Sequence, residues 1–200
     1  RSAPVRGAEC GRRGASGGNF VTLPSSEQVR SDLSTTATLL VSHKVFSLAE
    51  VAESRRLLET TCARLAAERR TADHLAALGA ALDRQARPDL SDEEFCDADV
   101  AFHRVIVQAA GNPVFDYVMV FALEALHPST NLVINRFRQR SDVLALQQVL
   151  LDAVASGDPE AAEAAIHAQM DHLSEIYNEA QEWVEARRVE REDGHGRIAD

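Results

Sequence analysis

Residues 91–113, SDEEFCDADVAFHRVIVQAAGNP, decide the fold class. Ser91 and Glu94 form a capping box, the signature of a helix N-terminus. Apolar residues then recur at helical spacing until Gly111-Asn112-Pro113 stops the helix, and the proline suits the first turn of another. The stretch therefore predicts a helix over 91–110 and a second one from 113 onward.

Similar signals divide the rest of the chain. Ser47 with Glu50 is another capping box, Arg87-Pro88 ends a helix, and Gly157-Asp158-Pro159 is a tight break. Only residues 19–24 look strand-like, and Pro128 is expected to kink or interrupt its helix. We predict helices over 26–42, 47–71, 72–87, 91–110, 113–136, 141–156 and 159–190. Six or seven helices with short connections predict an all-α antiparallel bundle.

Composition suggests three parts and excludes several classes of protein. Residues 1–25 form a Gly/Arg-rich, partly disordered linker, residues 26–190 the helical domain, and residues 191–200 a charged tail. The content of 45% hydrophobic and 26% charged residues is that of a globular protein. No apolar run is long enough to cross a bilayer, and no apolar core follows the basic start as in a signal peptide. Three cysteines without a CxxC pattern favour a cytoplasmic location.

Charge is spread unevenly along the chain. The net charge is −10, yet residues 1–18 carry four Arg and one Glu, which leaves −13 on residues 19–200. Such a body repels phosphate backbones, so we do not expect it to bind nucleic acid by itself. The basic start either touches nucleic acid or is a disordered tail.

Polar residues interrupt the apolar faces of four predicted helices. Arg55 and Glu59 fall one turn apart on the apolar stripe of helix 47–71. Either they form a buried ion pair, or Arg55 faces a ligand. Asp99 and His103 are also one turn apart and could share a metal ion or satisfy each other. Gln147 and Gln169 lie on the apolar faces of the last two helices, whereas His172 lies on a flank and is expected to face solvent.

These positions predict a polar cavity at the centre of the bundle. Its lining would be Arg55, Glu59, Asp99, His103, Gln147 and Gln169. The alternative is a structural network in which the same groups satisfy one another across the helices.

Four motifs follow one another along the chain: Gly17-Gly18-Asn19-Phe20-Val21, Glu53-x-Arg55-x-x-x-Glu59, Asp99-x-x-x-His103 with Ala109-Ala110-Gly111-Asn112-Pro113, and Gly157-Asp158-x-x-x-Ala162. In this order they resemble the C-terminal effector domain, the FCD domain, of FadR-subfamily GntR transcription regulators over about residues 17–185. The first motif is similar to the wing of that family's winged helix-turn-helix. On this resemblance, the N-terminal helices of that DNA-binding domain are expected to be missing from this chain.

The resemblance implies a homodimer that binds a small carboxylate effector between its helices and contacts DNA only through the winged helix-turn-helix, with no membrane contact. Many members hold a divalent metal with one Asp and three His, and the metal helps to anchor the effector; others bind without metal. Asp99 and His103 match two of the ligands, whereas Gln147 and Gln169 stand where two imidazoles are expected. An amide oxygen is a poor ligand for Zn²⁺ or Ni²⁺, so the metal site is expected to be degenerate or weakened. His172, one turn beyond Gln169, is a less favoured substitute ligand because of its position on the flank.

Two classes of function follow. The favoured one is the effector-sensing and dimerisation domain of a bacterial transcription regulator, which is not an enzyme. The alternative is a helical-bundle metalloenzyme that uses Asp99 and His103. The absence of a second Asp/Glu-x-x-His motif and of a recognisable nucleophile–base set counts against the enzyme.

Overall fold

The computed structural model describes residues 23–124 and 137–195, which fold into helices with no strand among them. In chain order the helices are α1 (Ser26–Ser42), α2 (Leu48–Arg69), α3 (Ala72–Gln85), α4 (Asp92–Ala109), α5 (Pro113–Glu124), α6 (Arg140–Ser156) and α7 (Pro159–His195). The prediction of an all-α helical fold is confirmed. The strand-like piece up to residue 22 and the kink at Pro128 lie outside the described residues.

The predicted capping signals set the starts of the helices. Ser47 and Ser91 each form the complete capping box, with their backbone N–H groups donating to Glu50 and Glu94 at 2.8 Å. Thr71 caps α3 in a reciprocal arrangement with His74 that the sequence analysis did not anticipate. The last helix continues to His195, beyond the predicted end at residue 190.

Arginine contacts reveal the directions of the central helices. On α2, Arg56 pairs with Asp171 and Arg64 with Glu163 at 2.5 Å, so α2 and α7 are antiparallel. At the C-terminal end of α2, Arg69 donates to the Ala110 carbonyl at 2.7 Å, and Arg70 donates to the Ala155 carbonyl at 3.3 Å. The C-terminal ends of α2, α4 and α6 therefore meet at one end of the bundle.

The turn between α6 and α7 requires glycine. Gly157 has a left-handed φ of 75°, and a Cβ at this position would lie 2.6 Å from the guanidinium of Arg70. Asp158 then caps α7, because its Oδ1 accepts from the backbone N–H groups of Glu160 and Ala161 at 3.0 Å. The break predicted from Gly157-Asp158-Pro159 is confirmed.

A continuous apolar core fills the end of the bundle at which α2, α4 and α6 terminate. Its fully buried side chains include Leu78, Phe102, Ile106, Leu150 and Ile166. A smaller cluster joins α1 to α2 through Ala37, Val41 and Val51. Within the described residues, none of the helices is long and apolar enough to span a membrane.

Candidate functional site

The polar residues predicted on four helices meet beside the apolar core. Arg55 of α2, Asp99 and His103 of α4, Gln147 of α6 and Gln169 of α7 line one cavity. The sixth predicted residue, Glu59, is absent from that lining and contacts Arg55 and His103. All six residues are between 1% and 8% exposed. The structure therefore brings five of the six together around the cavity and places the sixth next to them.

Glu59 joins Arg55 to His103. The Nε of Arg55 donates to Glu59 Oε1, and the Nδ1 of His103 lies 2.7 Å from Glu59 Oε2. Burial alone would raise the pKa of Glu59, but the adjacent Arg55 and His103 outweigh it and lower this pKa to about 2. Burial alone would likewise lower the pKa of Arg55, yet the negative charge of Glu59 raises it. Arg55 and Glu59 are therefore both charged inside the bundle.

Asp99 is held by two donors. The side-chain amide of Gln147 donates to Oδ1 at 2.7 Å, and the Nη2 of Arg138 donates to Oδ2 at 3.4 Å. His103 approaches more loosely, with its Nε2 3.9 Å from Oδ1. Burial opposes ionisation of Asp99, but Arg138, His103 and Arg55 lower its pKa. Asp99 is thus a buried carboxylate whose two oxygens face an amide and a guanidinium.

The two glutamines have different surroundings. Gln169 donates to the Leu146 carbonyl at 3.0 Å, which ties α7 to α6. Gln147 donates to Asp99, but its buried Oε1 has no hydrogen-bond partner among the described residues. A buried acceptor without a partner is costly, so this oxygen is a candidate contact for a bound molecule.

Two polar residues of the cavity were not among the lining residues predicted from the sequence. Arg138 lies just before α6, where no helical periodicity assigns it to a face. His172 was expected to face solvent, and that expectation is wrong: it lines the cavity, and its Nε2 is buried without a hydrogen-bond partner among the described residues. The sequence signal for His172 was its position one helical turn after Gln169, which lines the same cavity.

The cavity itself is small. Its volume of about 30 Å³ accommodates a water molecule or two. A metabolite of several carbon atoms needs more room than this. Binding such a molecule requires the surrounding helices or side chains to move apart.

The donor set does not fit a transition metal. Among the described residues, no group of three or more His, Cys, Asp or Glu side chains could hold a metal ion. Zn²⁺ and Ni²⁺ sites need more than the one carboxylate and one imidazole that Asp99 and His103 provide, and His172, although it lines the same cavity, does not complete such a group with them. Moreover, the positive charge of Arg138 lies next to Asp99 and would repel a dication bound there.

Comparisons with known proteins identify the family. Residues 50–172 match the FCD domain model, which covers the helices that carry the site. The chain belongs to the FCD domain family. All six predicted site residues lie within the matched region.

Curated relatives of this FCD protein are transcription regulators. The HTH-type transcriptional repressor NanR of Salmonella schwarzengrund (strain CVM19633) is 29% identical over 160 residues, which cover 79% of this chain and 60% of the relative. NanR of Salmonella newport (strain SL254) is equally similar, with 61% of its length covered. The chain thus spans about three fifths of these relatives. Both relatives are named as transcriptional repressors.

Solved structures share the fold. Streptococcus agalactiae GntR matches with a TM-score of 0.52 and 22% identity over 76% of this chain and 60% of that one. E. coli McbR/YncC matches with a TM-score of 0.60 and 18% identity over 76% of this chain and 98% of that one. Together with the family match, these similarities confirm the resemblance to GntR-type regulators with an FCD domain.

Proposed function

We propose that this FCD protein is the effector-sensing and dimerisation part of a bacterial GntR/FadR-type transcription regulator, and that a small acidic metabolite binds in the polar cavity. The observation that carries the proposal is a buried arginine, Arg55, which lines a cavity inside an FCD domain. Burying a guanidinium costs free energy, and a buried ion pair such as Arg55–Glu59 is often no more stabilising than apolar residues of the same size, which favours a role beyond stability.

The chemistry of the cavity favours an acid as the effector. Arg55 and Arg138 offer planar guanidinium groups, which bind carboxylates through paired hydrogen bonds. Gln147 offers an unpartnered carbonyl oxygen for a hydroxyl or amide of the same molecule. A small carboxylate with a neighbouring donor matches both features.

The size of the cavity links binding to regulation. A space of about 30 Å³ excludes most metabolites, so an effector binds a more open arrangement of the bundle. Effector binding therefore shifts the population towards the open arrangement. This change in helix positions can be transmitted through α1 towards the N-terminal side of the chain. A winged helix-turn-helix there would contact DNA.

Association and location complete the proposal. Leu39 on α1 and Leu57 on α2 are large apolar residues that are 54% and 64% exposed, and a homodimer would cover such residues. The body of the chain carries −13, so specific DNA binding requires the winged helix-turn-helix. We place the regulator in the cytoplasm, where DNA and metabolites meet.

A thermal-shift screen of small carboxylic acids against their neutral amides tests the proposal. An acid that binds in the cavity should raise Tm, and its amide should not. Arg55→Lys keeps the charge but loses the planar fork, so the rise in Tm should fall sharply. Arg64→Lys is the matched control, because Arg64 lies on the same helix in a half-exposed pair.

The outcome of the screen is decisive for Arg55. If the acid that stabilises the parent protein stabilises Arg55→Lys equally well, Arg55 is structural. If no acid stabilises the parent more than its amide does, the acidic effector is wrong.

A further inference from the structure

Arg138 occupies a position from which it can replace a metal ion. Its Nη2 lies 3.4 Å from Asp99 Oδ2, and Asp99 is one of only two residues in the cavity that match the metal ligands expected of the resemblance. We propose that Arg138 is the cation of a metal-free carboxylate site: it neutralises Asp99, excludes a dication and binds the carboxylate of the effector. This inference rests on the proposed function, because it assigns a residue to the same cavity.

The two arginines of the cavity are held differently. Arg55 is fixed by Glu59, one turn away on the same helix. Arg138 meets Asp99 at 3.4 Å, longer than the usual 2.7–2.9 Å of a charge-assisted hydrogen bond. Its Nε is buried without a hydrogen-bond partner among the described residues. A guanidinium has five N–H donors, so Arg138 retains donors for a second carboxylate while it holds Asp99.

The surroundings of Arg138 fix its position. Its guanidinium lies 6.0 Å from the centre of the Phe95 ring and contacts Cys96 Sγ at 3.4 Å. Arg140 lies over the same ring at 4.9 Å and donates to the Leu90 carbonyl at 2.9 Å, which anchors the start of α6. The site is therefore built by side chains that are themselves held in place.

Gln147 complements Arg138. Its amide nitrogen donates to Asp99 Oδ1, the oxygen that Arg138 leaves free, and its Oε1 has no partner among the described residues. A histidine at this position that bound a metal would have no nitrogen lone pair left to accept a hydrogen bond from a ligand, whereas Gln147 Oε1 can accept one. The glutamine and the arginine together thus satisfy Asp99 without a metal ion.

The first experiment measures metal exclusion and needs no effector. Ni²⁺ is titrated by calorimetry into untagged Gln147→His/Gln169→His and into the same protein with Arg138→Gln added. We expect the triple variant to bind Ni²⁺ at least about tenfold more tightly, because a positive charge has been removed from Asp99. Arg64→Gln added to the same double variant is the control, because it removes a positive charge from a half-exposed pair outside the cavity lining, and it should leave the affinity unchanged. Equal affinity with and without Arg138, or no Ni²⁺ binding by the triple variant, would overturn the metal-replacement role.

The second experiment measures carboxylate binding. Acetate and its neutral isostere acetamide are titrated at constant ionic strength, and the Gln147 side-chain amide is followed in ¹H–¹⁵N NMR spectra. We expect acetate, but not acetamide, to shift this resonance in the parent protein and in the control variant Arg64→Gln, and the shift to be lost in Arg138→Gln. Arg138→Lys keeps the charge and tests whether the planar fork is needed.

The outcomes separate the two proposals. If acetate shifts the Gln147 resonance equally in the parent and in Arg138→Gln, the cavity binds acids but Arg138 does not bind them. If acetate and acetamide act alike on the parent, the acidic-effector proposal itself fails, and the carboxylate-binding role of Arg138 fails with it. The Ni²⁺ titration would then still decide whether Arg138 excludes a metal.

Discussion

The two halves of the bundle interior differ in polarity although the same helices build both. On α4, Asp99 and His103 are followed by the apolar Ile106 and Ala109, and α2 changes in the same way after Glu59. The apolar half has fully buried side chains that stabilise the fold at no electrostatic cost. The polar half places charges where burial is unfavourable. The difference indicates that the apolar half maintains the structure and the polar half serves function.

Removing one charge from the polar half should have the largest effect. Glu59→Ala leaves Arg55 buried without its partner, and we expect a loss of about 3–5 kcal/mol in the free energy of unfolding. Glu163→Ala removes the partner of Arg64 in a half-exposed pair and should cost at most about 1 kcal/mol. Urea denaturation of both variants checks the comparison. Similar losses would mean that burial does not distinguish the two pairs.

The apolar half should respond to a cavity rather than to a charge. Leu150 is fully buried, and Leu150→Ala should lower the free energy of unfolding by about 2–5 kcal/mol. Val149→Ala, at a position on the same helix that is 55% exposed, is the control and should change it by less than about 0.5 kcal/mol. Acetate binding, followed by NMR, should survive in Leu150→Ala. Its loss would show that the two halves are not independent.

Acid should weaken the polar half selectively. The pKa of Glu59 is about 2 in the folded protein, below its ordinary value of 4.5, so its contribution to stability is complete above pH 4.5 and is lost as pH falls towards 2. That shift corresponds to a loss of about 2 kcal/mol by pH 3. Urea denaturation between pH 6 and pH 3 should show a smaller decline for Glu59→Gln than for the parent. Parallel declines would contradict the low pKa.

The smallest predicted effect concerns Gly157, at the end of the bundle where α2, α4 and α6 terminate. Gly157→Ala forces a left-handed φ on alanine and brings a Cβ to 2.6 Å from the Arg70 guanidinium. We expect a loss of about 1–2 kcal/mol, with no effect on the polar half. Gly79→Ala is the control, because Gly79 lies in α3 with nothing close to an added Cβ, and it should be neutral or stabilising. Equal effects would remove the argument for strain at Gly157.

The fold was largely predictable because its signals are local. Capping boxes at Ser47 and Ser91 and the break at Gly157 act within one turn of helix, so they can be read without knowledge of the neighbours. The end of α7 was less predictable, because residues 160–193 contain no glycine or proline to mark an earlier stop.

The candidate site was predictable only where helical periodicity assigns a face. Arg55, Asp99 and Gln147 interrupt apolar stripes, and the structure places all three around the cavity. Arg138 precedes α6, so its approach to Asp99 depends on how that segment packs against α4. His172 was placed on a flank by its angle on the helix, yet its side chain lines the cavity.

The most direct test of the central claim replaces Arg55 and Glu59 together. Arg55→Met/Glu59→Leu removes a positive and a negative charge at once, so neither member of the ion pair is left buried alone, although His103 Nδ1 loses its contact with Glu59 Oε2. If this pair serves function, the free energy of unfolding should stay the same or rise, and acetate should no longer shift the Gln147 resonance. A double variant that is strongly destabilised and still binds acetate like the parent would contradict the account.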